Sequence, residues 1–169
     1  RGRAKTTNFA VIYGQGDNAL ARQLGIERAE AAKFIKQYFL TFPGLTAYLE
    51  ASVQKARAGE AVRTILGRRR YVPTISSENR GLRLQAERIA KNTPIQGTAA
   101  DIIKLAMLRV AEELKREKAG AKMVLSVHDE LVFEVAEDVV AEAGEHIRSA
   151  MVAAANLRVP LEVEIGIGT

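Results

Sequence analysis

The central part of the chain, from about Glu78 to Lys118, has a helical pattern almost throughout. Within this segment Pro94 removes one backbone donor and Gly97 weakens the next turn, so a kink is expected there. In the last third of the chain, segments with strand character follow. We therefore expect an α+β chain, with a helical basic lobe followed by a small antiparallel sheet.

The remaining elements follow from apolar periodicity and from Gly and Pro breaks. The other predicted helices are 1–13, 18–24, 27–42, 44–58 and 137–155, and Asp17 is expected to cap the second of them. The predicted strands are 61–66 and 69–72, which form a hairpin with a basic tip, then 122–127, 131–135 and 161–167. The length of 169 residues predicts one domain.

Four residues near the beginning, Arg1, Lys5, Phe9 and Tyr13, are spaced four apart and are followed by Gly14. On a helix this spacing places them on one slowly drifting stripe. Two cations followed by two aromatics suit a ligand with a polyanionic end and a flat end, such as a nucleoside triphosphate. A solvated basic helix whose aromatic residues belong to a core explains the spacing equally well.

Charge is distributed unevenly along the chain, whose net charge is +5. Residues 1–116 hold 21 Lys/Arg and 10 Asp/Glu, whereas residues 117–169 hold 4 and 10. This asymmetry favours a surface that binds a polyanion, next to a region that carries carboxylates. The chain has no cysteine, no signal peptide and no apolar run of the ~20 residues that span a bilayer, so we expect a cytoplasmic protein without a membrane partner.

Three blocks occur in an order that is typical of one family. They are Arg1-x3-Lys5-x3-Phe9-x3-Tyr13-Gly14, then Gln96-Gly97-Thr98-Ala99-Ala100-Asp101, then Val127-His128-Asp129-Glu130, with Gly67-Arg68-Arg69-Arg70-Tyr71-Val72-Pro73 between the first two. Together they resemble the family A DNA polymerases, the bacterial DNA polymerase I group, over nearly the whole chain. Ala10 departs from the family pattern, which usually has Gly at that position.

The resemblance implies DNA-templated DNA synthesis in replication and repair, by nucleotidyl transfer from a dNTP to a primer 3′ hydroxyl with two Mg²⁺ ions. It implies a fingers subdomain over residues 1–77, with the basic hairpin at 61–72. Residues 78–169 would form the long kinked helix and the C-terminal part of the palm. The expected partners are primer–template DNA and dNTPs, and the expected form is a monomer in the bacterial cytoplasm.

The resemblance also assigns the acidic block. Asp129 is expected to be a catalytic metal ligand, because oxygen ligands suit Mg²⁺, and Glu130 is expected to assist it. His128 is expected to contact the primer end. By themselves, these residues would be interpreted as a polar turn, and His146 as a solvated surface residue.

The stripe on the first helix would hold the nucleotide. Arg1 and Lys5 would meet the β and γ phosphates, and Lys5 is the better candidate for the proton donor to pyrophosphate. Phe9 would cover the sugar and base. Tyr13 would stack near the templating base.

Primer–template contacts are expected from two further groups. Arg88, Asn92 and Gln96 are four apart, and such side chains can bind minor-groove acceptors that are similar in all base pairs. Arg68, Arg69 and Arg70 are expected to contact template phosphates from the hairpin tip. The alternatives are a solvated helix face and a solvated loop.

Two other functions stay open from the sequence. A non-catalytic nucleic-acid-binding module would reuse the basic helices, and a single-subunit RNA polymerase shares Lys5 and Tyr13. The family places another catalytic Asp upstream of the fingers helix, so we interpret the chain as a fragment. We expect that the 169 residues alone do not extend a primer.

Overall fold

The structure, a computed structural model, describes residues 2–117 and 120–168, with side chains described from residue 7 onward. The chain divides into two compact units, one ending at Gly97 and the other beginning at Thr98. Helices predominate, with two small antiparallel sheets, so the expected α+β class is confirmed.

The helices and strands are as follows. The α-helices are α1 Gly2–Ile12, α2 Asp17–Leu24, α3 Arg28–Thr41, α4 Pro43–Arg57, α5 Arg80–Glu117 and α6 Val140–Val152. The strands are β1 Val62–Arg63, β2 Arg69–Arg70, β3 Ala121–Val127 and β4 Glu130–Val135. Short 3₁₀ helices cover Pro73–Ser76 and Glu137–Val139. Among the described residues, no helix is both long and apolar enough to cross a membrane.

Among its described residues, the first unit has two apolar clusters. One joins α1, α2 and α3 through the buried residues Ala10, Val11, Leu20, Ala21 and Ala31. The other packs α4, β1, the 3₁₀ helix Pro73–Ser76 and α5 together. Its buried residues are Val53, Ala56, Val62, Val72, Ile75, Ala86 and Ala90.

The helical spacing of the sequence marks these faces only in part. Val53 is buried and Ile35 and Phe39 pack against the first cluster. Phe34 and Tyr48, which were expected to point inward at the same spacing, are exposed, because the apolar stripe is wider than the surface that covers it.

The predicted capping role of Asp17 is wrong. Gly16 is the N-cap of α2, and Asp17 is already the first helical residue. The Asp17 carboxylate instead accepts a 2.8 Å hydrogen bond from Arg28 Nε at the start of α3. This bond holds the pKa of Asp17 below its usual value of 3.8, so the α2–α3 link is present above that pH and is lost in stronger acid.

The longest helix, α5, remains helical through Pro94 and Gly97. The bend expected at these residues stays a prediction, as does the subdomain boundary between residues 77 and 78. Residues on α5 up to Gly97 belong to the first unit, and those from Thr98 onward belong to the second.

In the second unit, β3 and β4 pair antiparallel from Ala121 opposite Val135 to Val127 opposite Glu130. Val124 is an extra residue that forms a β-bulge, because Met123 faces Phe133 while Leu125 faces Val132. Both strands were predicted to within one residue at each end. Their inner side packs on a core formed by Val110, Leu114 and Ile147 of α5 and α6.

Two predictions for the second unit need correction. Residues 161–167 form no strand, although Leu161 and Val163 are half-buried and alternate with exposed Glu162 and Glu164. Alternation reports which side chains are covered, whereas a strand also needs backbone hydrogen bonds to a neighbour. His146 is not a solvated surface residue, since its side chain is 28% exposed and its Nδ1 lies 3.3 Å from Glu113 Oε1.

Candidate functional site: an aromatic pocket, a basic hairpin and an acidic turn

The C-terminus of α1 ends in a left-handed turn at Gly14, whose φ is +73°. The Gln15 N–H donates to Ala10 O at 2.8 Å and the Gly14 N–H donates to Val11 O at 3.1 Å. This pair of bonds is the Schellman arrangement that closes a helix with glycine. It directs the chain away immediately after the two aromatic residues of the stripe, so these residues lie at the edge of an opening.

That opening is a surface pocket of about 460 Å³, lined by residues from α1, α2, α5 and the turn. Phe9 and Tyr13 form one wall, with ring centroids 5.8 Å apart and planes inclined by 20°. Phe9 is 46% exposed, so a large apolar ring is presented to solvent. Stacked rings with an accessible face can bind a flat heterocycle.

Arg88 of α5 lies at the same pocket. A Cβ placed on Gly14 would lie 3.2 Å from Arg88 Cγ, so the stem of this arginine packs directly against the turn. The sequence assigned Arg88 to a different group from Phe9 and Tyr13. The structure brings all three together because Arg88 of α5 packs on the Gly14 turn at the end of α1.

The packing at Gly14 predicts a stability difference between glycines. Gly14→Ala should lower the free energy of unfolding by more than Gly25→Ala does. The measurement is urea denaturation of the full-length protein. Both residues have positive φ, which costs about 1–2 kcal/mol for alanine. A Cβ at Gly25 meets nothing within 4 Å, so only Gly14→Ala also displaces Arg88. Equal losses would show that the Arg88 contact contributes nothing.

The basic hairpin, β1 and β2 with the connecting residues 64–68, presents exposed Arg68, Arg69 and Arg70. Its strands pair through Val62 opposite Arg70 and Arg63 opposite Arg69. Among the described residues, no carboxylate forms an ion pair with Arg69 or Arg70. A short hairpin with three exposed guanidinium groups is suited to phosphate contacts.

The polar row on α5 is not uniformly exposed. Arg88 and Gln96 are exposed, whereas Asn92 is half-buried. The Asn92 Oδ1 atom is buried and has no hydrogen-bond partner among the described residues. Minor-groove base edges are mainly acceptors, so the amide NH₂ of Asn92, not its oxygen, is the group that could contact them.

In the second unit, His128 and Asp129 form the two-residue turn between β3 and β4, and Glu130 is the first residue of β4. All three side chains are exposed. His128 has φ +55°, the only positive value at a non-glycine residue in the described part of the chain. A non-glycine residue in this region is uncommon and is enriched at functional sites.

A divalent metal fits the turn only in part. The exposed Asp129 carboxylate can supply one hard oxygen ligand, and Mg²⁺ in nucleotide enzymes is often held by one or two carboxylates together with substrate phosphates. Among the described residues, no three His, Cys, Asp or Glu side chains cluster in a way that could hold a metal. Asp129 can therefore supply one ligand of a metal ion whose remaining ligands come from elsewhere, such as substrate phosphates.

Two predicted residues fall partly outside this description. Arg1 lies outside the described residues. Lys5 lies on α1 one turn before Phe9, but its side chain is not among those described.

Sequence reasoning missed Thr64, which organises the basic hairpin, because no motif or spacing singles it out.

Comparison with known proteins identifies the class. The profile of DNA polymerase family A matches residues 1–169, and the chain belongs to this family. It is 48% identical over 169 residues to DNA polymerase I of Pseudomonas aeruginosa, covering 100% of this chain and 18% of that protein. It is 47% identical over 168 residues to the thermostable DNA polymerase I of Thermus filiformis, covering 99% of this chain and 20% of that protein.

A solved structure gives the same result. The POL domain of Pol1 from M. smegmatis, in complex with DNA primer–template and dNTP, superimposes with a TM-score of 0.86 at 44% identity. The match covers 95% of this chain and 28% of that one. The chain thus spans about a fifth of the length of the curated relatives that it matches.

Proposed function

We propose that this chain forms part of a DNA-directed DNA polymerase that transfers a nucleotide from a dNTP to a primer 3′ hydroxyl. The observation that carries the proposal is the pocket at the end of α1, where the stacked Phe9 and Tyr13 rings meet Arg88. This pocket occurs in a chain that belongs to DNA polymerase family A along its whole length.

The pocket supplies the flat part of a nucleotide site. We assign the exposed ring of Phe9 to cover the sugar and base of the incoming nucleotide. Tyr13, which stacks on Phe9, is assigned to stack near the templating base. Because ring faces accept every base, the pocket selects the shape of a base pair instead of reading one sequence. Such selection suits an enzyme that accepts four substrates.

The other end of α1 supplies the phosphate site. Lys5 lies one turn before Phe9, and Arg1 precedes it by four residues. Cationic groups in this row meet the β and γ phosphates and offset the charge that grows on the leaving pyrophosphate. Lys5 donates the proton that pyrophosphate takes up.

The turn between β3 and β4 supplies the carboxylate. Family A polymerases use divalent metal ions in general, and we assign Asp129 as a ligand of the two Mg²⁺ ions, with Glu130 assisting. When bound, these ions lower the pKa of the attacking hydroxyl and neutralise charge on the phosphates. His128 holds the primer end next to Asp129, and the pairing of Val127 with Glu130 closes the turn that carries both residues.

Template and duplex contacts complete the site. Arg88, Asn92 and Gln96 hydrogen-bond the minor groove of the primer–template, and Arg68, Arg69 and Arg70 bind template phosphates. The monomeric state and the bacterial cytoplasm belong to the same proposal.

The phosphate role of the hairpin predicts a change in salt dependence. Arg68→Ala should weaken duplex binding and reduce the slope of log affinity against log salt by about 0.9, the value for one phosphate contact. Nucleotide affinity should stay unchanged, because Arg68 does not line the pocket. The measurement is fluorescence anisotropy of a labelled primer–template at several salt concentrations.

Arg158→Ala is the matched control for this experiment. It removes the same charge from an exposed position in the acidic second unit. If both substitutions change the slope equally, general charge and not a specific contact explains the effect.

Templated primer extension tests the function itself. When primer–template, dNTPs and Mg²⁺ are supplied, the full-length protein should extend the primer with the nucleotide that the template specifies. Binding of the duplex without extension would favour the non-catalytic module, and preference for ribonucleotides would favour the RNA polymerase.

A further inference from the structure

Gly97 on α5 permits an unusually close contact with the basic hairpin. A Cβ placed on this glycine would lie 2.7 Å from the Thr64 methyl carbon, Cγ2, and 3.9 Å from the Thr93 methyl carbon. The first distance is too short for two carbon atoms, so any side chain at position 97 requires Thr64 to move. Gly97 lies next to Gln96, one of the proposed DNA contacts.

Thr64 cannot move without disturbing the hairpin tip, because its bonds organise that tip. Its backbone N–H donates to Arg68 O at 3.0 Å, and its carbonyl accepts from the Gly67 N–H at 3.0 Å. Its Oγ1 accepts from the Arg68 N–H at 3.1 Å. The residue is 6% exposed, so rotation of its side chain would replace a buried hydrogen bond with a buried unpaired group.

We propose that Thr64 and Gly97 are positioning residues for the template contact. The methyl group of Thr64 seats the hairpin tip directly on α5. Two hydrogen bonds of Thr64 hold the Arg68 backbone in place, and a third holds the Gly67 N–H. The contact between Thr64 and Gly97 therefore fixes where Arg68 lies relative to Gln96. The inference rests on the proposed role of Arg68 as a phosphate contact.

The proposal predicts the effect of adding one methyl group to α5. Gly97→Ala should weaken binding of the primer–template duplex about tenfold, the order expected for loss of one charge-assisted contact. The salt slope should fall by about 0.9, as for Arg68→Ala. A Cβ at Gly44 on α4 meets nothing within 4 Å, so Gly44→Ala is the control and should leave both values unchanged.

A compensating change separates positioning from a general packing defect. Thr64→Ser removes the methyl group that the new side chain would strike but keeps the hydroxyl that accepts from Arg68. The double variant Gly97→Ala/Thr64→Ser should therefore bind DNA within about twofold of the original protein. Thr64→Val keeps the shape but loses the hydroxyl acceptor, and it should weaken binding in the same way as Gly97→Ala.

The decisive experiment combines Gly97→Ala with Arg68→Ala in the full-length protein. If Gly97 acts through Arg68, adding Gly97→Ala to Arg68→Ala should change DNA affinity by less than about twofold. Full additivity of the two losses, or no rescue by Thr64→Ser, would overturn the inference. If Gly97→Ala does not fold, the same comparison of DNA affinities is made with Thr64→Val, alone and combined with Arg68→Ala.

The outcomes also distinguish this inference from the function on which it rests. If Arg68→Ala alone leaves DNA affinity and salt slope unchanged, the proposed phosphate contact is wrong. If Arg68→Ala weakens binding while Gly97→Ala has no effect, the contact stands and the positioning role is wrong.

Discussion

Asp129→Ala is expected to lower the single-turnover rate of nucleotide incorporation about a thousandfold or more, while the affinity for DNA stays nearly unchanged. If Asp129 is a metal ligand, its removal costs several kcal/mol of transition-state stabilisation, and each 1.36 kcal/mol corresponds to a factor of ten in rate. A carboxylate does not attract a DNA phosphate directly, so its removal should not weaken duplex binding. Rapid-quench measurement of incorporation, next to equilibrium DNA binding, separates the two effects.

A second carboxylate of the same hairpin provides the control. Glu134 is exposed on β4 and lies opposite Lys122, at the far end of the strand pair from the turn. Glu134→Ala should therefore retain the original rate. If Asp129→Ala also retains it, the acidic turn is not catalytic, and the non-catalytic nucleic-acid-binding module becomes the better explanation.

Phe9→Tyr should relax discrimination against dideoxynucleotides about tenfold. The substitution adds one hydroxyl to a ring that is already exposed at the pocket and stacked on Tyr13. That hydroxyl replaces the polar group that a chain terminator lacks, and a hydrogen bond in such a setting is worth about a factor of ten. The measurement is the ratio of kcat/KM for dNTP and ddNTP.

Phe34→Tyr is the corresponding control. Phe34 is also an exposed phenylalanine, at 43%, but it lies on α3 and does not line the pocket. Its substitution should leave the discrimination ratio unchanged. Equal ratios for the original protein and Phe9→Tyr would show that Phe9 does not cover the sugar.

The helices were predictable because their cores require regular spacing. Apolar residues at helical intervals mark the buried faces of α2 and α3, and Gly14 marks the end of α1 because only glycine adopts φ +73° at low cost. The hairpin of β3 and β4 was predictable because two apolar strands enclose a short polar turn. Segment 161–167 was not, since its alternation could not show whether a strand partner was present.

The family could also be identified from the sequence, because three spaced motifs occur in the order that is typical of it. The sequence alone thus determined the class, the α-helices, the β3–β4 hairpin and the candidate side chains of the site. Only the tertiary structure showed that Arg88 packs on Gly14 at the aromatic pocket and that Thr64 rests on Gly97. These contacts join residues distant along the chain, and their short distances follow from how the helices and the hairpin pack, which no local pattern encodes.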